Sequence, residues 1–199
     1  MNDKMDFLQQ NAPCYLYEKN LIKERCHTLL DAMPEVDFLY SVKTNPFAPV
    51  LKTVAEQGFG ADVASANEVL LAQRAGIPYD KIYYSAPGKT LQDIQKAWGK
   101  CTIIADSLSE LERLEQCAAA KNDRIAVGVR VNPDFSMSGT SAVPGKFGID
   151  EEQLKTANLC FQHLKITGIH VHLCSQILEA NMLCEYYRNC YLLAERVNE

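Results

Sequence analysis

A chain of 199 residues, 47% of them hydrophobic and 23% charged, has the composition of an ordinary globular domain with enough apolar material for a real core. Its net charge of −5 and pI near 5.4, with no run of basic residues, argue against a nucleic-acid partner. No stretch reads as a membrane span or a signal peptide, so the expected compartment is the cytoplasm.

Residues 13–17, PCYLY, read as a short strand, and Ile22, Cys26, Leu29 and Leu30 then fall at helical spacing over 19–33. Phe38, Leu39, Tyr40 and Val42 form an apolar run too short for a buried helix and rich in aromatic and β-branched residues, which predicts a strand with Lys43 at its end. Thr44, Asn45 and Pro46 are loop formers, and Pro46 biases Asn45 out of helical dihedrals, so the chain turns directly after the lysine. The same alternation recurs as helix 48–57, strand 60–64, helix 67–75, strand 81–85, helix 91–98, strand 101–105, helix 107–120, strand 125–131, helix 151–161, strand 166–173 and helix 179–197. Strands alternating with helices at this tempo predict βαβ units and a parallel sheet. Counted from the lysine strand there are six units, where a closed (β/α) barrel needs about eight. The last helix has no terminating glycine or proline, which leads us to expect a piece of a protein about twice as long. The one long irregular segment, 133–146, is rich in Ser, Gly and Pro and reads as a functional or mobile loop.

Eight cysteines stand at positions 14, 26, 101, 117, 160, 174, 184 and 190 with no CxxC pair and irregular spacing, which predicts reduced, partly buried thiols. Lys43 projects from the carboxyl end of a strand, where α/β folds collect ligands, although a solvated lysine is the ordinary alternative. Asp62 ends a buried strand and demands a partner there, whereas Glu68 fits equally a cofactor role or a carboxylate favoured by a helix N-terminus. Lys89 reads either as a residue on the substrate side of a site or as a solvated lysine near a helix start. Asp106 or Ser107 fits a helix cap, with Glu110 completing a capping box after Ser107. Arg130 lies inside an apolar strand and must meet a carboxylate or an anionic ligand. His170 and His172 share one face of their strand, but no Cys, Asp or Glu stands at ligand spacing beside them, so no metal site is expected.

The segments YSVKTNP, GFGADVASANE, YYSAPGKT, VGVRVNP, KFGID and GIHVHLCSQ follow one another in the order found in one family. They resemble the (Y/F)(A/S)VK-x-N, G-x-D-V-A-S-x-x-E, S/N-x-x-x-K, R-x-N-P, K/Q-F-G and G-x-H-x-H-x-G-S-Q motifs of the pyridoxal-phosphate amino-acid decarboxylases of the alanine-racemase-like barrel type, which include diaminopimelate and ornithine decarboxylases. The resemblance implies a TIM-type (β/α) barrel, incomplete over 19–199, with 1–18 joining a β-rich domain. It implies pyridoxal 5′-phosphate as cofactor, held as a Schiff base by Lys43. By the same resemblance Asp62 lies near the cofactor, Glu68 supports it, Arg130 stands beside it, His172 stacks on its ring and Ser175 donates to its phosphate. Lys146 is then placed to neutralise a carboxylate at the mouth, with Gly148 serving the turn.

The implied reaction is α-decarboxylation of an amino acid, with meso-diaminopimelate, and hence lysine biosynthesis, the commonest assignment. Carboxynorspermidine, ornithine, lysine, arginine and secondary-metabolite precursors stay open as substrates. The rival readings are an amino-acid racemase on the same barrel and a non-catalytic regulatory homologue. The family's glutamate for the ring nitrogen, its glycine-rich phosphate loop and the residues contributed across a homodimer interface are expected beyond residue 199, so this stretch alone is expected to have little activity. Cys174 departs from the pattern, standing where most members carry glycine. The run at 132–139 resembles a less common branch with a longer loop before K/Q-F-G.

Overall fold

The computed structural model describes residues 2–137 and 145–198. Residues 138–144, within the long irregular segment, lie outside it, and with them part of the 132–139 run likened to a longer loop.

Two helices, α1 (Asn2–Asn11) and α2 (Lys19–Ala32), precede a repeating strand and helix pattern. It runs β1 (Leu39–Ser41), α3 (Ala48–Ala55), β2 (Gly60–Val63), α4 (Ala66–Arg74), β3 (Ile82–Tyr84), α5 (Leu91–Ala97), β4 (Thr102–Ala105), α6 (Leu108–Lys121), β5 (Ile125–Asn132), β6 (Ile149–Asp150), α7 (Glu151–Thr156), β7 (Leu164–His170) and α8 (Ala180–Asn198). Local chemistry sets the helix starts. Ser65, Thr90 and Ser107 each accept a hydrogen bond from the backbone N–H three residues on, and Thr90 with Asp93 makes a reciprocal capping box. Asn122, in the left-handed region at φ 49°, ends α6.

Strands β1 to β5 pair in parallel and in chain order, β7 joins β5, and the two-residue β6 lies against the end of β5. The register sets Ser41 beside Asp62 and Asp62 beside Tyr83. At Gly60 a side chain would run into the Lys81 carbonyl and the Leu39 side chain, so only glycine lets β1, β2 and the approach to β3 come this close. On the inner strands the face turned to the helices is fully covered: Ala61, Val63, Ile82, Val127 and Val129 are all buried. One core cluster joins β1–β3 to α3 and α4 through Leu51, Val69 and Ala72; another joins β4–β7 to α5–α8 through Ile94, Leu111, Leu114 and Leu193. Leu111, Leu114 and Ala118 fall on one face of α6, and truncating either leucine to alanine is expected to cost about 2–5 kcal/mol. Strands β1 and β7 are the edges of the described sheet and are more exposed than the strands between them.

Several expectations need correction. Segment 13–17 makes no strand: it has no ladder partner among the described residues, and Tyr15 is 90% exposed. The helix α1 before it was not anticipated. Helix α7 stops at Thr156 because Ala157 turns extended (ψ 144°), and Leu159 and Phe161 reach the core from a loop. Strand β7 ends at His170, so His172 follows the strand rather than lying within it.

Candidate active site

The carboxyl ends of β1, β2, β3, β5 and β7 surround a cavity of about 750 Å³. Lys43, Asp62, Arg130, His172 and Ser175 all line it, joined by Ser41, Ser85, Phe147 and His170. Five of the residues singled out from the sequence are thus brought together, and Glu68 is not among the lining residues. Its Oε2 accepts from the Ala64 N–H at 2.8 Å while its own N–H donates to Ser65 Oγ, so Glu68 fixes the turn from β2 into α4. That is the helix-start role.

Lys43 sits in a single 3-10 turn, Val42–Thr44, directly after β1. The turn is braced from several sides: Thr44 Oγ1 donates to Ser41 O (2.7 Å), Tyr40 Oη to Asn45 O (3.1 Å), and the Phe47 N–H to Asn45 Oδ1 (3.0 Å). Its ammonium has no hydrogen bond or ion pair among the described residues. A braced backbone therefore carries an exposed amine that nothing holds.

Asp62 is the opposite case. Ser85 Oγ donates to its Oδ1 at 2.5 Å and Ser41 Oγ to its Oδ2 at 3.2 Å, so the two neighbouring strands supply the partners that a strand-end carboxylate requires. Arg130, 8% exposed, donates from Nη1 to Asp106 Oδ1 (3.3 Å), and its guanidinium lies 5.0 Å from the Phe147 ring centroid. Asp106 is therefore the carboxylate that a buried arginine must find, while Ser107 does the capping. Phe147 is held over the guanidinium by the turn at Gly148 (φ 86°), where a side chain would come within 3.0 Å of the Asn132 N and 3.1 Å of the Arg130 O.

Burial and then the nearby Arg130 charge lower both histidine pKa values, that of His170 to about 4; Lys43 also acts on His172. Both imidazoles are neutral at neutral pH. The Nδ1 of His170 is buried without a hydrogen-bond partner among the described residues. Cys174 keeps an ordinary backbone, whereas Gln176 two residues later takes the left-handed conformation (φ 63°), so the position where the family has glycine does not demand one here. No group of His, Cys, Asp or Glu could hold a metal ion among the described residues.

Lys89 lies neither on the substrate side nor in solvent. Its Nζ donates to Ala86 O, Ile104 O and Glu110 Oε1, each at 2.6 Å, and lies 5.1 Å from the Tyr84 ring centroid. Glu110 therefore spends its side chain on this pair and not on the capping box. Burial presses the Lys89 pKa down and that of Glu110 up, while the attraction and hydrogen bond between the two oppose both shifts. An ammonium at Lys89 donates to all three acceptors.

Pyridoxal phosphate needs a free amine, a face for its ring and donors for its phosphate. The unpaired Lys43 ammonium, the neutral His172 imidazole, the Ser175 hydroxyl and the orphaned Nδ1 of His170 fit that group. Sequence reasoning missed Ser41 and Ser85, and it assigned Asp106 to helix capping rather than to Arg130. A polar residue at the end of an apolar strand was the available signal at each.

Residues 19–199 match the family model described as pyridoxal-dependent decarboxylase, pyridoxal binding domain. Over 94% of the chain it is 32% identical to diaminopimelate decarboxylase from Aquifex aeolicus, covering 47% of that protein, and 33% identical to L-glutamyl-[BtrI acyl-carrier protein] decarboxylase from Niallia circulans, covering 46%. In structure it is similar to a mutant diaminopimelate decarboxylase from Helicobacter pylori complexed with L-lysine (TM-score 0.84, 25% identity, 98% of this chain and 52% of that one). Lysine/ornithine decarboxylase from Vibrio vulnificus complexed with cadaverine gives a TM-score of 0.79 at 26% identity, over 98% of this chain and 51% of that one. The chain spans about half the length of the curated relatives it matches.

Proposed function

The chain belongs to the pyridoxal-dependent decarboxylase family, whose pyridoxal-binding domain it carries, and we propose that the whole protein removes the α-carboxylate of an amino acid, meso-diaminopimelate being the substrate. The observation that carries this reading is the unpaired Lys43 ammonium on a braced turn, facing a cavity that also holds a neutral imidazole and a fixed guanidinium. When bound, pyridoxal phosphate supplies an electron sink for the pair left on Cα as the carboxylate departs.

In this reading Lys43 attaches the cofactor through its amine. His172 lies against the ring without bringing a charge to it, because its burial and its cationic neighbours keep the imidazole neutral. Ser175 donates to the phosphate. Arg130, fixed by Asp106 and Phe147, sets a positive charge beside the cofactor, and Asp62 is held by Ser41 and Ser85 as an acceptor. Glu68 acts at one remove, by fixing the turn through which β2 presents Asp62. Lys146, whose Nζ lies 5.1 Å from the Phe147 ring centroid, meets a carboxylate at the mouth. The protein works as a cytoplasmic homodimer, and its barrel is completed by further strands that cover the β1 and β7 edges.

Borohydride reduction of the full-length, cofactor-loaded protein followed by peptide mapping is expected to put the pyridoxyl group on Lys43. A label on Lys89 or Lys146 would overturn the assignment. Carbon dioxide release from meso-diaminopimelate, measured beside ornithine, lysine and a glutamyl thioester on a carrier protein, tests the substrate. A preference for the thioester would move the protein towards the Niallia relative.

A further inference from the structure

The Lys89 side chain is too heavily committed for a residue that merely fills space. It is fully buried, and its three donors reach three separate pieces of chain. Ala86 O belongs to the loop after β3, next to Ser85, which holds Asp62, and Ser85, Ala86 and Pro87 all line the cavity. Ile104 O belongs to the end of β4, two residues before Asp106, which holds Arg130. Glu110 lies on α6 and brings the opposite charge. The backbone of Lys89 is pinned in turn, since Arg113 Nη1 donates to its carbonyl at 2.7 Å. Lys89 with Glu110 and Arg130 with Asp106 thus set two cation and carboxylate pairs beneath the wall of the cavity, and the Asp106 charge acts on both members of the buried Lys89 pair.

We infer that Lys89 is a positioning residue of the cofactor site: by tying the Ala86 and Ile104 carbonyls together it sets the separation of the two walls that carry Asp62 and Arg130. The inference rests on the reading of this cavity as the cofactor site. The working part is the pair of N–H bonds to the two carbonyls, and Glu110 serves to keep the amine charged and in place. An ammonium satisfies three acceptors. A neutral amine still satisfies the two carbonyls and can accept one N–H from an amide at position 110, whereas a thioether satisfies neither carbonyl.

The test separates this role from plain stability. In the full-length protein, Glu110→Gln leaves a neutral amine tied to both carbonyls, while the double variant Lys89→Met with Glu110→Met leaves a buried apolar pair of similar volume and no donor. Thermal melts of the cofactor-free proteins and titrations of cofactor binding, read by absorbance and visible circular dichroism, are the measurements. Glu110→Gln is expected to keep cofactor affinity within about threefold of the parent whatever its melting temperature, and the double variant to lose about tenfold or more, with an altered dichroic band. Lys89→Met alone, which strands a buried carboxylate, should melt below the double variant yet bind the cofactor no more weakly.

Affinities that simply follow melting temperature across these variants, or a double variant that binds like the parent, would overturn the inference. Should the double variant prove insoluble, Glu110→Gln still decides, because an affinity loss of about tenfold or more in it contradicts a role carried by the carbonyl ties. If the parent protein gives no borohydride-fixed adduct on Lys43, the reading of the cavity falls and the inference with it. If it does, and affinity tracks melting temperature, the inference alone falls.

Discussion

Two lysines follow the ends of two strands, one after β1 and one after β3, and the structure treats them in opposite ways. Lys43 is exposed on a turn braced by hydrogen bonds from Thr44 and Tyr40, and its own ammonium is unpaired among the described residues. Lys89 is buried with three acceptors at 2.6 Å, on a loop that its own side chain organises. At Lys43 the backbone is satisfied and the side chain is left over; at Lys89 the side chain satisfies the backbone. A nitrogen without protein partners is available for chemistry, and one with all its protons committed is architecture.

The sharpest way to break this contrast is to remove each lysine. Lys43→Ala in the full-length protein is expected to lower kcat/KM by about 10³-fold or more while changing stability by less than about 0.5 kcal/mol, checked by steady-state kinetics and denaturant unfolding. Lys89→Met is expected to destabilise by about 3–5 kcal/mol, because it leaves Glu110 buried and alone, as denaturant unfolding would show. A Lys89 variant as stable as the parent would erase the distinction.

Acidity probes the same wall from within. His170 is held neutral, its pKa lowered from 6.5 to about 4 by burial and by Arg130, so as pH falls the unfolded chain takes up the proton first. Stability due to this group is therefore full above pH 6.5 and falls towards pH 4, by up to about 3 kcal/mol. His170→Gln should flatten that slope in unfolding curves taken between pH 7 and pH 4, and an unchanged slope would assign it to other groups. The smallest effect concerns Asp106→Asn, which keeps an acceptor for Arg130 but removes the charge. It is expected to weaken cofactor binding about tenfold, measured by titration.

The parallel sheet was legible because its signals are local. The apolar run 125–131 is buried on both faces from Val127 onward, and Ser65, Thr90 and Ser107 stand where helix-capping chemistry puts them. The positions of Lys43 and Asp62 followed from strand ends, and the likeness of their motifs to one family pointed to Arg130, His172 and Ser175. What failed was partner choice across space. Periodicity cannot say that Asp106 turns to Arg130 rather than to its own helix, that Glu110 leaves the capping box for a lysine 21 residues earlier, or that Glu68 stays at the helix start. The segment 13–17 has no ladder partner among the described residues, and β propensity without a neighbour makes no ladder.

The chain-order pairing of β1 to β5 also bears on how the molecule is made. Each strand docks on the one synthesised just before it, so contacts stay short in sequence and the sheet can grow in the direction of translation without waiting for distant partners. The tie at Lys89 is the exception. Burying its ammonium without Glu110 is costly, so the loop after β3 is expected to close only once β4 and the start of α6 have formed. Pulsed hydrogen exchange should find protection at β1 and β2 before it appears at residues 85–90, which makes this wall of the cavity a late product of folding.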